Sequence, residues 1–457
     1  MASPSTTLSI PRLRSDLNGR VIAPGDAEYD AARAVFPGGI DRHPAVIVRV
    51  ADASDVSRVV ALARETGLEL AVRSGGHSGA GHGVCDDGIL LDLSGLRALD
   101  LDAERRTAWA QTGLTAAEYA AAAGALGLAT GFGDTGSVGI GGITLGGGIG
   151  YLARKYGLTI DALLAAEVVT ADGELLRVDE HNHPDLFWAI RGGGGNFGVA
   201  TRFQFRLEPL PAVVGGMLLL PATSDVIAGF IAEAEAAPDE LSTIANVMPA
   251  PPMPFVPEEH RGQLSIMALM CYAGPTEEGQ RVLAPFRALA TPIVDMVRPI
   301  PYAEMYPPED ESYHPVSVNR TFFVDSVDGT TADTILDHIG ASSAMMSVAQ
   351  LRVLGGAVAR VPNDSTAYAH RGRRVMANVA ALYQNPDDRA MHEAWANDFA
   401  AALRTRDGAY VNFLADEGAD RVREAYPGTT WDRLAAVKAR YDPTNLFRRN
   451  QNIPPAP

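Results

Sequence analysis

Between residues 131 and 150 the chain reads GFGDTGSVGIGGITLGGGIG, with glycine in three clusters: Gly139, Gly141 and Gly142; Gly146 to Gly148; then Gly150. Glycine loses more backbone freedom on folding than any other residue, so such a run belongs where the backbone must come close to something. A second glycine-rich loop, RSGGHSGAGHG at 73–83, runs straight on from a strand-like LELAV. Its successive N–H groups can form a nest of the kind that holds phosphate. A third loop, RGGGGNFG, occupies 191–198. Any one of these is as readily a tight turn. Three in one half of a chain point to an extended ligand of dinucleotide length.

The familiar nucleotide motifs do not account for them. A Rossmann fingerprint needs G-x-G-x-x-G between the first strand and its helix, and the turn near 50–54 has no glycine. No G-x-x-x-x-G-K-[ST] is present, which removes a P-loop. The GHSGAG around Ser78 fails the G-x-S-x-G pattern of a nucleophile elbow. His181 and His183 form an isolated H-x-H, which reads as a solvated loop rather than a metal site.

Around these loops the pattern is α+β. HPAVIVRV (43–50), LELAV, GILLDL (88–93) and TAWAQ (107–111) read as strands. Val56, Val59, Val60 and Ala63 mark an amphipathic helix, capped by Asp52 or Ser54 and stopped at Gly67. LTAAEYAAAAGALG reads as an alanine-rich helix. AEVVTADGELLRV (166–178) reads as a hairpin turning on Asp172-Gly173. Beyond about 211 proline rises and the glycine runs stop, while LSIMALMCY and VNRTFFVDSV alternate with helical stretches. At 457 residues the chain exceeds one core. Three segments follow: a first domain at 1–211, a second α+β domain at 212–415 with one sheet covered by helices, and a C-terminal segment at 416–457 that returns to the first.

A formal charge of −17 argues against a nucleic-acid partner. Two cysteines, Cys85 and Cys271, do not make a disulfide-stapled secreted fold. Neither a signal-peptide core nor a membrane-length apolar run is present. The expectation is a cytoplasmic protein, monomer or homodimer, without a membrane or metal partner.

Taken together, RSGGHS after a strand, the V-G-x-G-G-x-x-x-G-G-G-x-G segment and the terminal YDPTNLFRRNQNI resemble the vanillyl-alcohol oxidase/p-cresol methylhydroxylase superfamily. More narrowly they resemble its berberine-bridge-enzyme-like branch. The resemblance covers about 40–211 and 430–455. It implies a two-lobed FAD-binding domain joined to a substrate domain, with FAD attached covalently through His77. His82 competes by proximity but lies outside the R-S-G-G-H core. Arg73, Ser74, Gly75, Gly76, His77 and Ser78 would wrap the pyrophosphate. Glu167, Val168 and Val169 would meet the adenine. Gly139, Gly141, Gly142, Gly147, Gly148 and Asn450 would lie along the cofactor. Many relatives carry a second link through a cysteine, and Thr135 stands at that position, so one covalent bond is expected. Val138 stands where valine goes with oxygen access to the flavin.

GAYVNFLADE (408–417) holds Tyr410 and Asn412, which alternation would put on one face of a strand. The family's Y-x-N motif makes Tyr410 the base that takes the substrate's proton. A phenol titrates near 10, so it needs a nearby cation or an electron-poor ring. HRGRR (370–374) could equally line the substrate side or be a solvated turn. The expected function is an oxidase acting on a small organic substrate (an alcohol, sugar, phenolic or natural-product intermediate) with molecular oxygen as acceptor and hydrogen peroxide as product. The alternatives are a dehydrogenase with another acceptor, an amine oxidase, or a non-catalytic flavoprotein.

Overall fold

The computed structural model describes residues 8–310 and 312–457. Three large sheets organise them, beside a two-stranded pairing of Leu128–Ala129 with Glu208–Pro209. The first has the order Arg20–Ile22, Val46–Arg49, Ile89–Asp92, Leu70–Arg73. Its last three strands are parallel, and Arg20–Ile22 is antiparallel. The expected amphipathic helix forms at Ala53–Thr66 and supplies the crossover between parallel strands. Asp52, not Ser54, is its cap, accepting from Asp55 N–H, and Gly67 ends it at φ 71°. Val56, Val59, Val60 and Ala63 pack on the sheet.

The second sheet is antiparallel, in the order Leu99–Asp102, Thr107–Gln111, Val199–Arg206, Leu163–Val169, Leu175–Asp179. The hairpin at Asp172-Gly173 forms as its sequence requires, with Gly173 at φ 89°.

The third sheet is the largest, with eight antiparallel strands built from 213–382. Its long strands run in the order Val213–Pro221, Leu264–Tyr272, Leu241–Pro249, Met346–Val353, Val375–Leu382 and, at the edge, Ser317–Val324. Helices Ser224–Ala236, Thr276–Ala288, Gly329–Gly340 and Arg389–Leu403 contribute Phe230, Phe286, Ile335 and Phe399 to the core on one of its faces. The opposite face turns toward the glycine loops. The α+β reading therefore holds in both halves.

Two local expectations change. Tyr410 and Asn412 do not lie on a strand: Val411–Phe413 is one turn of 3-10 helix. Alternation is therefore not what brings these two side chains together. Within the glycine segment a short helix forms at Ile140–Gly146, whose glycines conceal it from propensity.

Loops 73–79 and 131–142 meet backbone to backbone. A Cβ on Gly75 would overlap the Gly139 amide nitrogen, and a Cβ on Gly139 would overlap Ser74 Oγ and the Gly75 nitrogen. Ser74 is spent on the same contact, donating to Thr112 O at 2.6 Å and accepting from Gly141 N–H at 3.3 Å. Gly139→Ala should therefore cost about 1–3 kcal/mol in overpacking and lower the fraction of protein that incorporates cofactor. Gly329→Ala, with open space around it at a helix start, should leave the melting temperature within about a degree or two.

Candidate active site

Where the glycine loops face the third sheet they enclose a cavity of about 530 Å3. That is within the ordinary range for a small-molecule site. Of the cofactor residues expected from sequence, Arg73 to Ser78, Thr135, Val138, Gly139, Gly141, Gly142 and Asn450 all line it, as do Tyr410 and Asn412. His82 lines it too.

Others lie elsewhere. Glu167, Val168 and Val169 are not on the wall. Glu167 faces Arg202 at 3.9 Å, and the two valines are core. The wall is formed one strand over, by Val199 and Ala200, which pair with Val169 and Val168. Gly147 and Gly148 also lie behind the wall. Gly147 packs on the Tyr410 and Tyr368 rings, and Gly148 packs on Thr159. Both hold positive φ, 133° and 81°, which aims the next amides at the Tyr410 oxygen. Arg73 lines the cavity, but its guanidinium turns away. It bonds Ala32 O at 2.6 Å, Ala34 O at 2.9 Å and Asp92 at 3.1 Å, and so fixes the strand end that launches the loop. HRGRR is structural in its middle: buried Arg371 clasps Asp161 with two bonds of 2.7 and 2.8 Å, and none of the five residues lines the cavity. His183 bonds the Tyr441 hydroxyl at 3.3 Å, and no metal-holding cluster occurs among the described residues.

His77 is held on two sides. Phe36 stacks on its ring at 4.1 Å and 18°. Its Nε2 lies 3.0 Å from Ser137 Oγ, and Ser137 donates its proton to the Glu309 carboxylate. Glu309 also accepts from Gly136 and Ser137 N–H, at 2.7 and 3.1 Å. Because the hydroxyl proton is spent on Glu309, His77 donates from Nε2 and keeps a lone pair on Nδ1. Burial lowers its pKa to about 4, so the ring is neutral near pH 7. Glu309 lies 172 residues beyond Ser137, on a proline-rich loop without a motif, and nothing local in the sequence marks it.

Tyr410 sits in a nest. Its phenol oxygen accepts from Gly148 N–H at 2.9 Å, Ile149 N–H at 3.2 Å and Asn412 Nδ2 at 2.9 Å. Complete burial pushes its pKa above the ordinary phenol value, while these three donors and the Arg352 charge pull the other way. Asn412 is itself anchored by donating to Ile143 O at 3.0 Å. Tyr368 packs edge-on at 6.1 Å.

The C-terminal motif closes the cavity. Lys438, fully buried, donates to Asp442 at 2.6 Å, Asn196 O at 2.7 Å and Phe447 O at 2.8 Å. Asn196 in turn bonds Gln451 O at 3.1 Å and accepts from Ile453 N–H at 2.9 Å. The third glycine loop and the terminal segment are thereby knitted into one wall.

These residues fit an FAD. The N–H groups of Gly75 to Gly79 have no acceptor among the described residues, as a phosphate nest requires. Above Gly142 and Gly195 a Cβ would meet nothing, leaving room for a flat ring. The Asn450 Oδ1 is buried without a partner on the cavity wall, an acceptor awaiting a ligand N–H.

Two family models match, one described as FAD binding domain over 44–179 and one as berberine and berberine like over 409–454. The (R)-6-hydroxynicotine oxidase of Paenarthrobacter nicotinovorans is 30% identical over 96% of this chain and 97% of its own. The chain belongs to the berberine-bridge-enzyme-like family of FAD-linked oxidoreductases. Its structure is similar to that of 6-hydroxy-D-nicotine oxidase from Arthrobacter nicotinovorans, with a TM-score of 0.85 at 27% identity, covering 96% of this chain and 98% of that one. It is equally similar to xylooligosaccharide oxidase from Myceliophthora thermophila in complex with xylobiose, with a TM-score of 0.85 at 25% identity, covering 98% and 100%. No helix among the described residues is long and apolar enough to cross a membrane.

The buried lysine gives a direct test of the terminal clamp. Lys438→Met should strand Asp442 as an uncompensated buried charge and cost about 3–5 kcal/mol. Denaturant unfolding reads the loss, and the variant should incorporate FAD less completely than the parent.

Proposed function

We propose that this FAD-linked oxidoreductase is an oxidase, holding its cofactor by one covalent bond through His77 and using Tyr410 as its base. The observation that carries the reading is the nest at Tyr410: three N–H donors converge on one buried phenol oxygen at the meeting of the flavin loops and the second-lobe sheet. Such convergence favours the anion, which is the form a base needs. The phenol donates to no protein group among the described residues, and Tyr410 lines the cavity.

FAD, when bound, supplies the acceptor for a hydride and passes two electrons to oxygen, giving hydrogen peroxide. The chain does the rest. Tyr410 takes the proton of the substrate's hydroxyl or amine as the neighbouring C–H is cleaved. Asn412 keeps the phenol aimed and stabilises its charge. Phe36 and Ser137 hold the His77 ring in one orientation and one tautomer, so a neutral nitrogen is available for attachment. Thr135 at the family's cysteine position supports a single link. Val138 on the cavity wall supports oxygen as the acceptor, since valine there accompanies oxygen access in the family. Substrates are small organic molecules, with an alcohol favoured over an amine by the tyrosine base. Cofactor contacts at the remaining wall glycines and Asn450 belong to the same proposal.

Acid precipitation should leave a yellow pellet from the parent and a colourless one from His77→Ala. Attachment to apoprotein should run equally fast at about pH 6 and about pH 8, because an imidazole held near 4 is neutral at both. A slowing at the lower pH would mean an ordinary histidine near 6.5. For Tyr410→Phe, turnover should fall by roughly a hundredfold or more with flavin retained. In the parent, kcat/KM should climb with pH into the alkaline range, since the base is active only when deprotonated and burial raises its pKa. That climb should vanish in the variant, and an unchanged profile would remove Tyr410 from the role.

A further inference from the structure

Alternation along Met346–Val353 puts Ala349, Leu351 and Val353 under the helices. Gln350 and Arg352 therefore point to the opposite face and line the cavity. Cross-strand pairing places Asn246 opposite Gln350, and Asn378 opposite Gln350 on its other side. A polar row on an otherwise buried face is costly unless its members are bonded.

They are bonded, in an order that ends on one atom. Asn246 Nδ2 donates to Met267 O at 3.0 Å, and Gln350 Nε2 donates to Asn246 Oδ1 at 2.9 Å. Arg352 Nε donates to Gln350 Oε1 at 2.9 Å, while its Nη2 donates to the Asp134 carboxylate. The guanidinium lies over the Phe413 ring at 5.1 Å, and that ring is 5.3 Å from the ring of Tyr410. The plane of the guanidinium is thus fixed from two edges and one face. Its remaining nitrogen, Nη1, is buried without a partner, on a side chain only 4% exposed. A charged donor left unpaired at a site built to hold it rigid is a recognition group waiting for an acceptor.

We infer that Arg352 anchors the substrate, and that the substrate carries an oxygen acceptor, a carboxylate or a carbonyl, which takes the hydrogen bond from Nη1 while the reacting carbon lies toward Tyr410. The inference rests on the reading of the Tyr410 end of the cavity as the place of reaction. Arg352 is a specificity-determining residue there. Asp134 neutralises its charge, so a neutral carbonyl can be held as well as an anion.

The test is calorimetric titration of the FAD-loaded protein with benzoate, with benzamide, and with aniline, which offers no oxygen. Benzoate and benzamide should bind at least tenfold more tightly than aniline. Arg352→Met should erase that preference, and Arg352→Lys should restore part of it. The double variant Arg352→Met with Asp134→Asn removes both charges together and keeps the comparison open if the single variant does not fold. Asp134→Asn alone separates the two sources: a gain for benzoate only assigns a carboxylate, and an equal response of both probes assigns a carbonyl. Undiminished preference in Arg352→Met, or no binding of either oxygen-bearing probe by the parent, would overturn the inference. Because binding is measured without turnover, its failure is distinct from failure of the Tyr410 base, which Tyr410→Phe kinetics report.

Discussion

The contact between Gly75 and Gly139 sets the geometry of everything around the cavity. Two loops that are far apart in sequence touch there without side chains between them, which only glycine on both sides allows. From that contact outward, His77 comes beside Ser137, and Thr135 and Val138 take their places on the same wall. The Arg73–Asp92 pair holds the base of one loop to the parallel sheet, and Arg49 braces Asp92 from the next strand at 2.8 Å. A side chain at either glycine would separate the loops and carry His77 away from its partner.

The two titratable groups of the site answer to opposite balances. For His77 burial dominates and produces a neutral ring, the form with a usable lone pair. For Tyr410 burial works against the charged form, and the nest of amides with Asn412 and Arg352 opposes it. In the roles proposed for them, the same desolvation would serve His77 and would have to be countered at Tyr410. The positive φ angles of Gly147 and Gly148 belong to that counterweight, since they aim the next amides at the phenol.

Much of this was legible in the sequence, and the reasons differ residue by residue. The helix at 53–66, the hairpin at Asp172-Gly173 and the strand at 264–272 follow from periodicity and turn chemistry. The glycine loops announced a close ligand, and the family motifs pointed to FAD. Glu167 to Val169 were displaced by one strand because sequence cannot say which of two paired strands turns its side chains to a ligand. Tyr410 and Asn412 come together, but through a 3-10 turn and not on the strand face that alternation suggested. Phe36, Ser137, Glu309 and Arg352 were invisible as a set, since each gains meaning only from a neighbour distant in the chain.

The clamp at Lys438 and Asn196 has a consequence for how the protein comes into being. Its first wall is encoded before residue 200 and its last near residue 453, with the whole large sheet made in between. Domains generally fold from the N-terminus as they emerge during synthesis. The 73–79 loop can therefore take shape early, and Asn196 Nδ2 has a local acceptor in Gly193 O at 2.9 Å, but the two carbonyl oxygens of Asn196 find their donors only with Lys438 and Ile453. Until then the wall that Gln451 and Asn450 supply to the cavity is missing. Docking of the segment from Lys438 to Ile453 then acts as the latch.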